Sequence, residues 1–249
     1  VSQPARLGGE QVEGRRAVRE LLLAGRRAVR EVAIAGGRQP SPLLDEIADL
    51  ARARGARLRT VAPAELAARA VTDAAQGVLA VAAPVAPAPL EELLGAGSPF
   101  LVMLDGVTDP RNLGSVLRSA LSAGATGAVL PAHRAAHLSP AAVKAAAGAV
   151  EYLPIAVAGG IPSALEEARR AQVWTVGLDA HGEAEIDRLE LASEPLALVL
   201  GAEGRGLGSL ARRRCDVLAR ITLRGPLDSL NVAAAAAVAC FAVARRRAG

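Results

Sequence analysis

Three polar, glycine-rich segments in the second half of the chain carry the residues best suited to chemistry. They are Asp105-Gly-Val-Thr-Asp-Pro-Arg-Asn-Leu-Gly-Ser-Val-Leu-Arg118, Leu198-Val-Leu-Gly-Ala-Glu-Gly-Arg-Gly206 and Asp228-Ser-Leu-Asn-Val232. Each leaves an apolar run, so each reads as a strand-to-helix corner with backbone N–H groups free for a ligand. In the first, Asn112 stands where it can cap or anchor a helix, and Arg118 follows six residues later, between one and two turns on. The plain reading of an isolated Asn-x-Gly-x-x-x-Arg is a capped surface helix with an exposed Arg. In the second, Gly201 lets backbone approach a ligand, and Glu203 follows at the same corner. The glycines at 201, 204, 206 and 208 lack the G-x-G-x-x-G register of a dinucleotide loop. The third reads as a strand end, a Gly-Pro turn and a helix capped at Asp228 or Ser229.

Metal chemistry has little support. His133 and His137 have the spacing to share a helix face, but no third ligand is evident and Pro131 and Pro140 bracket them in a loop. Cys215 and Cys240 form no Cys-x-x-Cys pair, so they read as small buried apolar residues, and no metal is expected. His181 reads as part of a turn.

The order and wording of the three segments resemble the signature motifs of the SpoU (TrmH-like) RNA ribose 2′-O-methyltransferases of the SPOUT class. Val12-Glu-Gly-Arg-Arg-Ala-Val18 and the stretch from His133 through Lys144 to Pro154 resemble the bacterial 23S rRNA (guanosine-2′-O-)-methyltransferase subgroup. The resemblance implies an S-adenosylmethionine cofactor, contacted by Leu200, Gly201, Ile221, Leu223 and Leu230. It also implies a catalytic set of Asn112, Arg118, Glu203, Ser229 and Asn231. The Arg of that set is proposed to help deprotonate the ribose hydroxyl. A guanidinium, with a pKa above ~12, is better suited to gripping phosphate and stabilising a developing alkoxide. Two departures from the family pattern stand out: Thr222-Leu223 and Ala233 in the third motif, and Ala75-Gln76-Gly77 where the family has His-Gln-Gly.

The implied fold is α/β: a small N-terminal α/β substrate-binding domain, then a C-terminal SPOUT domain with a parallel sheet and a deep trefoil knot. The implied assembly is a homodimer whose active site is completed across the interface. The implied partner is RNA, most directly 23S rRNA, with tRNA as the enzymatic alternative. A non-catalytic RNA-binding protein that keeps the fold, and a nucleotide-dependent metabolic enzyme, are the readings from other classes.

The elements that must hold these corners follow from periodicity. Residues 1–82 read as an alternating α/β unit, with helical spacing in Val18, Leu21 and Leu22, strands at 29–35, 57–61 and 77–81, and helices around 43–54 and after Pro63. Residues 83–98, with prolines at 84, 87 and 89, read as a semi-rigid linker. Residues 99–249 alternate short apolar strands (100–104, 128–130, 155–157, 173–178, 196–200, 217–223) with helices and end in a helix from Ser229 to about Arg246. Strands without polar alternation indicate a parallel sheet covered on both faces.

Composition sets the partners. The net charge is +4, and the excess lies in residues 1–80, with 13 Arg against 9 acids, while residues 81–249 hold 16 of each sign. Such a basic third suits a polyanion, and an ordinary solvated face fits the charge equally well. Aromatics are 2% of the chain, so base stacking cannot dominate. No apolar run reaches the ~20 residues of a membrane span, Val1 to Glu10 lacks a signal-peptide pattern, and a cytoplasmic location is expected.

Overall fold

The computed structural model describes residues 7–37, 41–73, 75–133, 135–226 and 228–248. Arg134 between the two loop histidines, Leu227 just before the third segment and the first six residues, to which part of the N-terminal reading applies, lie outside them.

The N-terminal unit runs β1 (Gln11–Glu13), α1 (Arg15–Ala24), β2 (Val29–Ala35), α2 (Pro42–Ala53), β3 (Arg57–Val61), α3 (Pro63–Arg69) and β4 (Val78–Ala82). Its sheet has the order β1-β4-β2-β3, antiparallel except for the β2–β3 pair. Leu21 and Leu22 on α1, and Leu44 and Ile47 one turn apart on α2, are fully buried in one core with Val32, Val78 and Ala80 of the sheet. Full burial of such side chains contributes roughly 1.5–3 kcal/mol each. Ala33, Val61, Leu66 and Ala75 form a smaller cluster.

The segment read as a linker is docked. It contains a short helix, α4 (Leu90–Leu94), whose Leu93 and Leu94 are buried, and the Ala88 N–H donates to the Ile155 carbonyl. The leucines at 90, 93 and 94 have helical spacing, and burying them outweighs the extended bias of the preceding prolines.

The C-terminal unit continues with β5 (Phe100–Asp105), α5 (Pro110–Ser122), β6 (Gly127–Pro131), α6 (Pro140–Ala146), β7 (Ile155–Ala158), α7 (Ile161–Arg170), β8 (Trp174–Leu178), β9 (Ala184–Glu185), β10 (Leu196–Gly201), α8 (Ser209–Arg214), β11 (Val217–Arg220) and α9 (Val232–Ala248). The seven strands pair in parallel in the order β7-β6-β5-β10-β8-β11-β9. Alternate residues of β5 and β10 enter different cores, as the strand period of two requires. Phe100, Val102, Leu104, Leu196, Leu198 and Leu200 pack with α5, α6 and α9; Leu101, Met103, Ala197 and Val199 pack with α4, α7 and α8. Both faces are covered, as the apolar strands demand.

Two local features set the site's geometry. Helices α5 and α6 cross at Gly114, where a Cβ would lie 2.2 Å from the Ala142 carbonyl oxygen. Helix α9 starts at Val232, three residues later than the capping reading: Asn231 Oδ1 accepts from the Ala233 N–H (2.9 Å) and the Ala234 N–H (3.4 Å), displacing Asp228 and Ser229 from that role. Its far end is pinned by Arg247, which donates to the carbonyls of Ala192 (2.8 Å), Ser98 (3.2 Å), Pro99 (3.0 Å) and Glu194 and lies over the Phe100 ring.

Candidate active site

The corner after β5 is capped by Asp109, which accepts from the Arg111 N–H at 2.7 Å, with Pro110 in the first turn. That leaves Asn112 free of capping. Its Nδ2 donates to Glu203 Oε2 at 3.0 Å, and its Oδ1 accepts from Asn231 Nδ2 at 3.2 Å. Asn231 Nδ2 also donates to Glu203 Oε1. One residue from each of the three segments thus meets in a closed triangle of hydrogen bonds, with Asn231 serving as helix cap and site residue together.

Gly201 lacks a side chain for a reason other than ligand approach. A Cβ there would stand 2.1 Å from the Gly206 carbonyl carbon. The loop folds back on itself through Ala202 and Gly206, which exchange N–H···O bonds of 3.0 and 2.8 Å, and this hairpin presents Glu203 to Asn112.

Beside the triangle lies a cavity of about 420 Å³ lined by Leu200, Gly201, Ile221, Leu223, Ser229 and Leu230, with Glu203 at its edge. Its size falls in the range of small-molecule sites, roughly 300–1,000 Å³. Asp179 and Asp228 also line it. Burial pushes the Asp179 carboxyl up, but hydrogen bonds from the Arg212 guanidinium and the His181 N–H outweigh it, so the pKa lies below the ordinary value. His181 therefore sits in a turn closed by Asp179. Among the described residues, Ser229 bonds through its side chain only to Asp228, at 3.3 Å, and takes no part in the triangle.

Arg118 is not brought to this cavity. Six residues along a helix displace it from Asn112 by about 9 Å axially and about 120° around the axis. Its exposed side chain lines a separate cleft between the two units, with Arg15, Arg16, Arg111 and Lys144. It has no ion pair or hydrogen bond among the described residues.

Comparisons with known proteins join these observations. The profile of the SpoU rRNA Methylase family matches residues 99–241, and that of RNA 2′-O ribose methyltransferase substrate binding matches residues 11–88. The chain belongs to the SpoU rRNA methylase family. It is 34% identical over 248 residues, 97% of this chain and 99% of the relative, to the 23S rRNA (guanosine-2′-O-)-methyltransferase RlmB of Photobacterium profundum. It is 36% identical over 207 residues, 81% of this chain and 82% of the relative, to the putative TrmH family tRNA/rRNA methyltransferase YacO of Bacillus subtilis. The SpoU methyltransferase AviRb of Streptomyces viridochromogenes, crystallised with the cofactor AdoMet, superposes with a TM-score of 0.80 at 28% identity, covering 96% of this chain and 90% of that one.

Sequence reasoning missed several features. The pairing of Asn112 with Glu203 spans 91 residues. Helix α9 leaves Val238 and Phe241 exposed, three residues apart on one face; their spacing in an otherwise small-residue helix was the available signal. Among the described residues no group of three His, Cys, Asp or Glu side chains could hold a metal ion, and no helix is long and apolar enough to cross a membrane.

Proposed function

We propose that this chain transfers the methyl group of S-adenosylmethionine to a ribose 2′-hydroxyl of RNA, with a guanosine of 23S rRNA as target. The observation that carries the reading is the triangle of Asn112, Glu203 and Asn231 at the edge of the 420 Å³ cavity, in a chain of the SpoU family.

The cavity suits the cofactor. Apolar walls from Leu200, Ile221, Leu223 and Leu230 match an adenosine, and the carboxylates of Asp179, Glu203 and Asp228 complement a cationic ligand. When bound, S-adenosylmethionine supplies a methyl group on an electrophilic sulfonium, so the protein's task is positioning. Glu203 fixes both amides, and the amides orient the incoming hydroxyl. Arg118 grips a substrate phosphate and stabilises the negative charge that develops on the ribose oxygen as the hydroxyl releases its proton to water.

Residues 1–82 bind substrate, 83–98 connect and 99–249 carry catalysis. Strand β10 lies between β5 and β8, and α9 returns onto α5 and β10; this supports a C-terminal trefoil knot as the frame of the cavity. The separation of Arg118 from the triangle and the exposed Val238 and Phe241 support a homodimer whose site is completed across the interface. An rRNA substrate sets its place of work in the cytoplasm. The test is transfer of label from [methyl-³H]S-adenosylmethionine to bulk ribosomal RNA. Incorporation is expected; RNA binding with no cofactor affinity would replace the enzyme by a binding module.

A further inference from the structure

The cleft that holds Arg118 encloses about 1030 Å³ between α1, residues 71–73 and Gln76 of the N-terminal unit and α5 and α6 of the C-terminal unit. It shares Arg16, Leu43, Arg118 and Ala147 with a neighbouring hollow of about 470 Å³, so the two form one groove. Its cations are Arg15, Arg16, Arg19, Arg111, Arg118 and Lys144. Of its three acids, Asp73 makes no side-chain hydrogen bond or ion pair among the described residues, and the other two are occupied. Glu13 is fully buried and accepts from Gln11 (2.6 Å), the Val71 N–H (2.7 Å), the Thr72 N–H (3.0 Å) and the Thr72 hydroxyl. Glu20 is taken by Arg19 and by the Tyr152 hydroxyl, both at 2.8 Å. Arg16, Arg111 and Arg118 make no side-chain hydrogen bond or ion pair among the described residues.

Within this groove one cation is held in place. The Thr72 hydroxyl donates its hydrogen bond to buried Glu13, which leaves its oxygen lone pairs for another donor, and Lys144 Nζ donates to that oxygen at 3.1 Å. An ammonium has three donors, so two remain for a ligand. Lys144 comes from α6 and its anchor from the N-terminal unit, so the contact exists only because the units are docked. We propose that Lys144 is a positioning residue that grips a phosphate of the RNA strand on the floor of this groove, holding the strand as it passes Arg118. The proposal rests on the RNA methyltransferase reading and adds to it the path of the backbone. Free cations and one aromatic, Tyr152, whose hydroxyl is already bonded, suit phosphate tracking over base reading.

Lys144 is the chain's single lysine, which makes a direct test practical. The full chain is acetylated with N-hydroxysuccinimidyl acetate, alone, with 23S rRNA at a concentration where filter binding shows a complex, and with S-adenosylmethionine. Peptide mass spectrometry reads the modification. Acetylation of Lys144 is expected to slow at least about fivefold with rRNA and to be unchanged by the cofactor, one ion contact being worth roughly 1 kcal/mol. An unchanged rate in the bound complex overturns the proposal. So does protection by the cofactor alone, or equal protection by polyglutamate at matched charge, which would assign the groove to acidic peptides.

Lys144→Met should also lower the slope of log affinity against log salt by about 0.7, and Lys144→Arg should restore it; a slope unchanged in Lys144→Met again contradicts the assignment. The acetylation arm uses the native chain, so it stands even if the variant misfolds. Methyl transfer by the wild-type chain is measured in the same preparation, so failure of the enzyme reading and failure of the Lys144 assignment register separately.

Discussion

At the scale of single residues, Asn231 has two tasks on one side chain, capping α9 and holding Glu203 and Asn112. Replacing it with Ala should lower stability by about 1 kcal/mol, the value of a cap, while turnover falls much further because the triangle opens. Urea melts beside methyl-transfer rates separate the two effects. Arg118→Ala should abolish turnover and leave cofactor affinity intact, since its side chain lines the cleft and not the cavity; isothermal titration with S-adenosylmethionine checks this. Glu13 gives a pH signature. Burial raises its pKa, but the hydrogen bonds from Thr72, Val71 and Gln11 outweigh burial and bring it below the ordinary 4.5. Its stabilisation is therefore complete above about pH 4.5 and is lost as pH falls through the depressed value. The gap in urea midpoint between wild type and Glu13→Gln should shrink from pH 6 to pH 3; a constant gap would contradict this. Cys240, whose thiol burial pushes up to about 12, takes no part in such behaviour.

At the scale of elements, the α5–α6 crossing decides where the first motif points. Gly114→Ala places a methyl 2.2 Å from a backbone oxygen and 2.7 Å from Ala145 Cβ, so the helices must part. Such overpacking costs about 1–3 kcal/mol, more than the gain of up to about 1 kcal/mol in helix propensity, and the melting temperature should fall by several degrees. An unchanged melt would mean that α6 yields freely. The bounds of β2 and β3 were legible because the aliphatic end of β2 stops at Gly36-Gly37, and the alternating Arg57-Leu-Arg-Thr-Val61 lies between Gly55 and Pro63. Strands β1 and β9 were not, since three and two residues are too few to show a period. Asn231 lost its capping role to Asp228 and Ser229 on paper because all three are good caps, and only tertiary contact with Glu203 selects among them.

At the scale of the whole molecule, the two units are held as one body by a buried ion pair. Arg27 is bound to Glu151 (Nε to Oε2, 2.9 Å) and to the carbonyls of Gly9 (2.8 Å) and Ala83 (2.7 Å), with Arg27 and Glu151 7% and 1% exposed. Removing one partner of such a pair costs about 3–5 kcal/mol, so Arg27→Met should undock the N-terminal unit and enlarge the cleft; a single cooperative melt at the wild-type temperature would contradict that. The motif residues were legible because they occur as three words. The partition of Arg118 from the triangle was not, because it depends on helix phase and on the docking of units far apart in sequence. That partition gives a test of the dimer. Mixed Arg118→Ala and Asn231→Ala chains, each inactive alone, should regain activity if the site is completed across an interface, and should stay inactive if each protomer works alone.

The central claim is the identity of the atom methylated. After reaction with labelled S-adenosylmethionine and unmodified 23S rRNA, complete alkaline hydrolysis followed by chromatography reads it directly, because a 2′-O-methyl ribose blocks cleavage at its own phosphate. The account predicts that the label emerges in one alkali-resistant dinucleotide carrying guanosine on its 5′ side. Label recovered in mononucleotides, which places the methyl on a base, would contradict it.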